Sequence, residues 1–239
     1  MKIALIGYGK MGQAIDAIAT AKGNEIVIRV DINSQHLLAK EHMAQADVAI
    51  EFTTPETAYH NVLKCFEANV PVVCGTTGRL HTLPALKALC AEKKQAFPNA
   101  TNFSIGVHIF FEVNKTMAAL MAGQPQYNVW MEEIHHTHKK DAPSGTALTL
   151  AEQLMAAVTR KTAWVNGDSD QPGTLSIISK RIDPAPGTHT INYTSDIDDI
   201  TITHTAHSRE GFAAGAVVAA EWLKGKTGVF SMRDVLKLG

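Results

Sequence analysis

Apolar residues fall into short runs separated by helical patterns through the first part of the chain. Residues 2–6 are one lysine followed by a four-residue apolar run, stopped by Gly7, which predicts a buried strand. Met11, Ala14, Ile15, Ile18 and Ala19 then recur at helical spacing, and Gly23 supplies a stop. Residues 25–30 are rich in β-branched side chains and predict a second strand; residues 47–52 predict a third. Thr54 reads as an N-cap with Pro55 at the first helical position, where proline sacrifices no hydrogen bond. That helix runs to about Ala68. Residues 70–74 predict a fourth strand ended by Gly75, residues 83–94 a helix, and Ala96-Phe97 a short fifth strand. Strands and helices in this alternation predict a parallel sheet covered on both faces.

The rhythm then changes. Residues 103–121 are apolar and helical, residues 127–134 predict a strand that runs into a His-rich segment, and residues 146–158 predict a helix. Three β-rich runs follow with no helix between them, at 175–182, 188–195 and 199–207. A Pro-Ala-Pro-Gly turn at 184–187 and an acidic turn at 196–199 separate them, so the expectation is an antiparallel meander. Residues 212–223 predict a final long helix. The fold class is α/β, with a Rossmann-like parallel sheet first and an α+β domain on a mixed or antiparallel sheet second. The boundary is expected near Asn102, with a hinge there that would exclude water on closure.

Composition narrows the function classes. Apolar residues make up 45% and charged residues 19%, which rules out disorder as the main state. Lys plus Arg is 22 against 23 for Asp plus Glu, a formal charge of -1, and so even a balance argues against a nucleic-acid or anionic-membrane binder. No apolar run approaches the ~20 residues of a membrane helix, and the apolar start is too short for a secretory signal. Cys65, Cys74 and Cys90 are odd in number and lie in or beside apolar segments, so they are expected to be reduced thiols of a cytoplasmic protein.

Three segments carry candidate chemistry. Gly7-Tyr8-Gly9-Lys10-Met11-Gly12 matches G-x-G-x-x-G between a strand and a helix. There the glycines allow a tight turn and close approach of backbone to a pyrophosphate, and the helix N-terminus favours its charge. Asp31 ends the second strand, where a carboxylate binds the adenine-ribose hydroxyls. Gly75-Thr76-Thr77-Gly78 follows the fourth strand at the carboxyl edge of the sheet and suits a loop beside nicotinamide or ribose, as it would suit a plain turn. The third segment runs from Glu133 to Thr146 and crowds His135, His136, His138, Lys139 and Lys140 into six residues. That density suits an anionic ligand. Ser144 is the expected N-cap of a helix whose first residues, Gly145 and Thr146, offer N–H groups to a carboxylate. If the strand continued, His135 and Lys139 would share a face and His136 would take the other. Two other readings stay open on these residues: a zinc site on His135, His136 and His138, as in a metal hydrolase, and a dinucleotide-sensing module without catalysis.

The stretch His-His-Thr-His-Lys-Lys-Asp-Ala-Pro-Ser-Gly-Thr at 135–146 resembles the signature of the 4-hydroxy-tetrahydrodipicolinate reductase (dihydrodipicolinate reductase) family. The glycine loop, Glu51-Phe52-Thr53-Thr54-Pro55-Glu56, Gly75 to Gly78, Asn102-Phe103-Ser104-Ile105-Gly106-Val107 and Phe230-Ser231-Met232-Arg233-Asp234-Val235-Leu236 match in the family's order. The resemblance implies a dinucleotide-binding domain over 1–102, a substrate-binding and oligomerisation domain over 103–209, and a helical segment over 210–239 that rejoins the first. It implies NAD(P)H-dependent reduction of a cyclic imine dicarboxylate in lysine and diaminopimelate biosynthesis by a homotetramer built on the central sheet. His135 would be the acid/base and Lys139 the proton donor. His136, Lys139, Ser144, Gly145 and Thr146 would contact the dicarboxylate, and Asn102 and Phe103 would lie beside the cofactor with the glycine loop, Gly75, Thr76 and Thr77. Thr137 stands where many members have Arg, and the segment from Asp31 to Asp47 is short. Asp31 repels a 2′-phosphate and the next residue is Ile32 rather than Arg, so NADH is expected to be preferred to NADPH; Lys10, and Arg29 if turned toward the site, would oppose this.

Overall fold

The computed structural model describes residues 1–76, 83–98, 100 and 102–238. In chain order it holds β1 (Lys2–Ile6), α1 (Lys10–Ala21), β2 (Glu25–Val30), a short 3-10 helix (Gln35–Leu38), α2 (Lys40–Met43), β3 (Val48–Glu51), α3 (Pro55–Glu67), β4 (Val72–Cys74), α4 (Leu83–Glu92) and β5 (Ala96–Pro98). Then come α5 (Ile105–Met121), β6 (Asn128–His135), α6 (Gly145–Ala157), β7 (Ala163–Asn166), β8 (Thr174–Arg181), β9 (Gly187–Thr194), β10 (Asp199–Ala206), α7 (Glu210–Leu223), β11 (Gly228–Phe230) and α8 (Met232–Leu236). The chain divides into two compact units, one of Met1–Ile105 with Arg209–Gly239 and one of Gly106–Ser208.

The first unit carries a parallel sheet in the order β2-β1-β3-β4 and a short parallel pair of β5 with β11. Its strands are mostly apolar on both faces because both faces are covered, with Lys2, Glu25, Arg29 and Glu51 as the charged exceptions. Ile3 and Leu5 of β1 join Ile15 and Ala19 of α1 and Ala216 and Ala220 of α7 in one core. Ala4 and Ile6 join Val62 and Phe66 of α3 and Leu86 of α4 in the other. Thr54 caps α3 ahead of Pro55, and its N–H donates to Thr57 Oγ1 at 3.4 Å. Cys65, Cys74 and Cys90 form no disulfide and are buried in the second of these cores.

The second unit is a five-stranded mixed sheet in the order β10-β9-β6-β8-β7. β9 is antiparallel to β6 and β10, and β8 is parallel to β6 and β7. Helices α5 and α6 bury Val107, Phe110, Phe111, Leu150 and Leu154 against Val129 and Met131 of β6, Leu175 and Ile177 of β8, and Ile191 and Tyr193 of β9. This corrects the expected meander. β9 and β10 form a hairpin, but β6 stands between β8 and β9. The connection at 182–186 steps across the end of β6, fastened where Ile182 N–H donates to His135 O at 2.7 Å. Val129 and Met131 of β6 are fully buried under the helices, as are Leu175 and Ile177 of β8 and Ile191 and Tyr193 of β9. The elements absent from the sequence reading are small or exposed: α2, β11, α8, and β7, whose four residues are all exposed and show no inward row.

Candidate active site

The glycine loop has three distinct geometries. Gly7 has φ +97°, and a Cβ there would stand 2.0 Å from Phe52 O. A Cβ on Gly12 would stand 2.1 Å from Gly7 O, so α1 packs directly on the loop. A Cβ on Gly9 would meet nothing within 4 Å. The protein's own packing therefore demands Gly7 and Gly12, whereas Gly9 leaves open space at the N-terminus of α1, beside the first-turn N–H groups of Lys10 and Met11. These residues fit a dinucleotide pyrophosphate. Asp31 Oδ1 accepts from Asn33 N–H and from Ser34 Oγ, each at 2.8 Å. The Ser34 hydroxyl, then the Asn33 N–H, hold its carboxyl below the usual range. Arg29 does not turn to Asp31. It donates to Asp16 from Nε at 2.7 Å and lies 5.8 Å above the Tyr8 ring, while Tyr8 OH also donates to Asp16, at 2.7 Å. Lys10 is exposed and makes no ion pair among the described residues.

Glu51 is fully buried at the carboxyl end of β3 and accepts from Thr76 Oγ1 at 2.8 Å, Thr53 N–H at 3.1 Å, Thr53 Oγ1 and Cys74 Sγ. One carboxylate thus joins the loops after β3 and β4. Gly75 is required by the Phe52 ring, which would lie 2.0 Å from a Cβ. Thr77 and Gly78 lie outside the described residues. Asn102 Oδ1 accepts from Ser104 N–H at 2.7 Å, and the Phe103 ring is buried 6.1 Å from that of Phe52.

In the second unit the core-facing rows of the sheet turn from apolar to polar at one end. On β6, Val129 and Met131 are followed at the same parity by Glu133 and His135; on β8, Leu175 and Ile177 by Ser179 and Arg181. On β9 the same parity places His189 before Ile191 and Tyr193. Glu133 pairs in register with Ser179 and His189, and His135 with Arg181. The Glu133 carboxylate is 0% exposed. Its oxygens accept from Ser144 N–H at 3.0 and 3.1 Å and from Arg181 Nη2 at 3.1 Å, with His135 Nδ1 3.3 Å and His189 Nε2 3.7 Å from Oε2. Burial alone would raise this carboxyl, but His135, Ser144 and Arg181 outweigh it and hold the group well below the carboxylate range. Burial, then the neighbouring His135, pushes His189 down to about 3.

β6 ends at His135, so the face-sharing expected from a continued strand gives way to a turn in which Lys139 N–H donates to His136 O at 3.1 Å. Lys139 Nζ donates to both oxygens of Asp141 at 2.8 Å. Burial raises the Asp141 carboxyl, and the Lys139 hydrogen bond more than offsets it. Arg181 ties this loop down by donating to Lys139 O at 3.3 Å and Asp141 O at 2.5 Å. Thr137 donates to Asp183 from both N, at 3.1 Å, and Oγ1, at 2.6 Å. Ser144 caps α6 by accepting from Ala147 N–H at 3.2 Å, and its hydroxyl shares a 3.1 Å hydrogen bond with His189 Nε2. Gly145, next along, has nothing within 4 Å of a Cβ.

Family models join the two halves. The model for the N-terminus of dihydrodipicolinate reductase matches residues 1–103, and that for its C-terminus matches residues 106–236. The chain belongs to the dihydrodipicolinate reductase family. A 4-hydroxy-tetrahydrodipicolinate reductase of Christiangramia forsetii is 46% identical over 236 residues, 99% of this chain and 98% of that one. The Neisseria meningitidis enzyme of the same name is 40% identical over 203 residues, 82% and 74% of the two chains. A dipicolinate-bound dihydrodipicolinate reductase from Paenisporosarcina shares the fold at a TM-score of 0.74 and 23% identity, over 97% of each chain. An amine dehydrogenase of Mycobacterium smegmatis shares it at 0.60 and 12%, over 97% and 95%.

In this reductase-family chain the residues that sequence reading did not single out are Glu133, Asp141, Arg181 and His189. Parity carried the available signal, since a strand whose inward row already holds Val129 and Met131 puts Glu133 and His135 inward as well. Arg181 and His189 are brought in by pairing across β8 and β9, which no local pattern reveals. The alternative zinc trio is not assembled: His136 and His138 lie beside each other, with ring centroids 6.2 Å apart, while His135 turns to Glu133 and His189. Glu133, His135 and His189 bring ligand atoms within 4.8 Å. A cation there would face the Arg181 guanidinium on the same carboxylate, and the Ser144 N–H already takes both oxygens, so this donor set does not fit a metal. No helix among the described residues is long and apolar enough to cross a membrane.

Proposed function

We propose that this chain reduces 4-hydroxy-tetrahydrodipicolinate, through its dehydrated cyclic imine, to tetrahydrodipicolinate with NAD(P)H, in the cytoplasm and in lysine and diaminopimelate biosynthesis. Family membership along both units carries the reading. NAD(P)H, when bound, supplies the hydride. The glycine loop from Gly7 through Tyr8, Gly9, Lys10 and Met11 to Gly12 would hold the pyrophosphate, and Asp31 the adenine ribose. Gly75, Thr76, Thr77, Asn102 and Phe103 would border the nicotinamide, with the buried Phe103 contributing through its backbone. NADH is the preferred form, since Arg29 is engaged by Asp16 and Asp31 makes no ion pair among the described residues.

In the second unit a dicarboxylate would meet His136, Lys139 and the start of α6, where Gly145 leaves room and Thr146 follows. The N–H of Ser144 is already directed to Glu133, so its part in that site is the helix cap and the hydroxyl. A substrate carboxylate competes with Asp141 for the Lys139 ammonium. Hydride addition leaves electron density on the substrate that must take a proton, which Lys139 would donate, with His135 managing the proton balance behind it. A homotetramer built on the central sheet agrees with the exposed apolar residues of this unit, Trp164 and Val165 on edge strand β7 and Ile109, Val113 and Leu120 on α5. Oxidation of NADH and NADPH by the purified protein, with substrate freshly generated by the preceding pathway enzyme, tests the activity. Failure to oxidise either cofactor defeats it.

A further inference from the structure

The Glu133 carboxylate is an anion without solvent, enclosed by α6, β6, β8 and β9. Ionised, it can only accept hydrogen bonds. Every neighbour within reach must therefore present a proton to it or remain unsatisfied. Ser144 N–H and Arg181 Nη2 do so at 3.0 to 3.1 Å. The Nε2 of His189 is farther, 3.7 Å, and is already engaged with Ser144 Oγ at 3.1 Å. His135 Nδ1 lies 3.3 Å from Oε2 but out of line for a hydrogen bond, and it is buried with no partner of its own. A small ring rotation satisfies both atoms if the proton sits on Nδ1. The opposite tautomer would set a nitrogen lone pair against a carboxylate, inside a pocket that affords neither group water. On the far side of the ring, Nε2 lies beside Gly187, where a Cβ would approach to 3.0 Å, so the backbone there leaves space for this atom. Ile182 N–H donating to His135 O at 2.7 Å fixes the residue's main chain while the ring adjusts.

We propose that Glu133 is a positioning residue for the reduction, holding the proton of neutral His135 on Nδ1 so that Nε2 is the nitrogen that takes up and releases protons. Resting on the proposed function of this site, it adds what no single strand shows: the histidine works through a buried carboxylate two residues earlier on the same face. Arg181 and the α6 N-terminus keep that carboxylate ionised, which is what makes it a one-way partner. Among the described residues, the charged and titratable groups acting in this cluster include Glu133 on β6, Arg181 on β8, His189 on β9 with His204 behind it on β10, and Lys139 and Asp141 in the loop after β6.

Two measurements test this. In wild-type protein with ¹⁵N-labelled histidine, neutral His135, assigned with a His135→Gln control, should show the Nδ1–H form; the Nε2–H form would overturn the proposal. Glu133→Gln, which keeps the size but not the charge, should lower kcat at least ~10-fold while KM for the imine and the Kd for NADH stay within about threefold. Wild-type kcat in this variant would also overturn it. Should the variant fold poorly, the wild-type spectrum still decides. That spectrum needs no turnover, so it separates failure of Glu133's role from failure of the reductase activity itself.

Discussion

Gly9 and Gly12 carry the same letter for opposite reasons. A side chain at Gly12 collides with Gly7 O at 2.1 Å, whereas one at Gly9 meets no protein atom within 4 Å. Gly12→Val should therefore cost stability, by about 1–3 kcal/mol or more, as forced overpacking does. Gly9→Val should melt near the wild-type temperature yet bind NADH at least ~10-fold more weakly by calorimetry. Equal loss of stability in both variants would remove Gly9 from the ligand site. Lys139 separates structure from chemistry in the same way, because among the described residues its ammonium hydrogen-bonds only to Asp141, in its own loop. Lys139→Ala should lower kcat by roughly 10²-fold, the scale of one general acid, with NADH affinity unchanged. Asp31 makes no ion pair among the described residues, while Arg29 is held by Asp16 and Tyr8. Wild type should favour NADH over NADPH by roughly tenfold in kcat/KM, and Asp31→Ala should narrow or reverse the ratio. If NADPH is the better substrate of wild type and Lys10→Ala abolishes that advantage, Lys10 governs the choice instead.

Elements show where sequence is legible and where it is not. The alternation of β1, α1, β2, β3, α3 and β4 reads directly, because each parallel strand is an apolar run and each helix carries its own cap or stop. Gly7 to Gly12 and the His-rich turn read well too, since their chemistry is local. The order of β6, β8 and β9 does not read, because all three carry an inward row that is apolar at one end and polar at the other, and the turn at 184–187 looks the same for a hairpin as for a step over β6. The same limit hid Arg181, which acts only once β8 lies beside β6. From there its guanidinium reaches Glu133, Lys139 O and Asp141 O together, fastening the His-rich turn to the sheet. An ammonium cannot span those acceptors. Arg181→Lys should raise KM for the imine by about tenfold, in line with losing a charged hydrogen bond, and leave NADH binding intact because the first unit is untouched. An unchanged KM would mean that the turn holds its shape without this fork.

At the scale of the whole molecule, the polar end of the second sheet makes stability depend on acid. His189 has an ordinary value of 6.5 and is pushed to about 3 in the fold, by burial first and then by the neighbouring His135. Burial also lowers His204, its neighbour on β10. For a group lowered by folding, the unfolded chain binds the proton first. The stabilisation is therefore complete above the unfolded value and is lost as pH falls toward the folded one. Glu133 acts in the same sense: its carboxyl lies below the ordinary 4.5, so its contribution also stands above that value and disappears below it. The two windows follow one another on acidification, the histidines from 6.5 downward and the carboxylate below 4.5. His189 alone should account for ~2 kcal/mol of unfolding free energy between about pH 6.5 and about pH 5, one proton over one and a half units. Urea unfolding of the full chain in a Trp222→Phe background, followed by fluorescence of Trp130 and Trp164 in the second unit at several pH values, measures that slope. His189→Gln keeps a polar group within reach of the Ser144 hydroxyl and removes the titration. It should flatten the curve above about pH 5 and leave the fall below the carboxylate range in place. A variant as acid-sensitive as wild type across the upper window would show that His189 is protonated in the fold, and that Glu133, with which it shares a pocket, outweighs its burial.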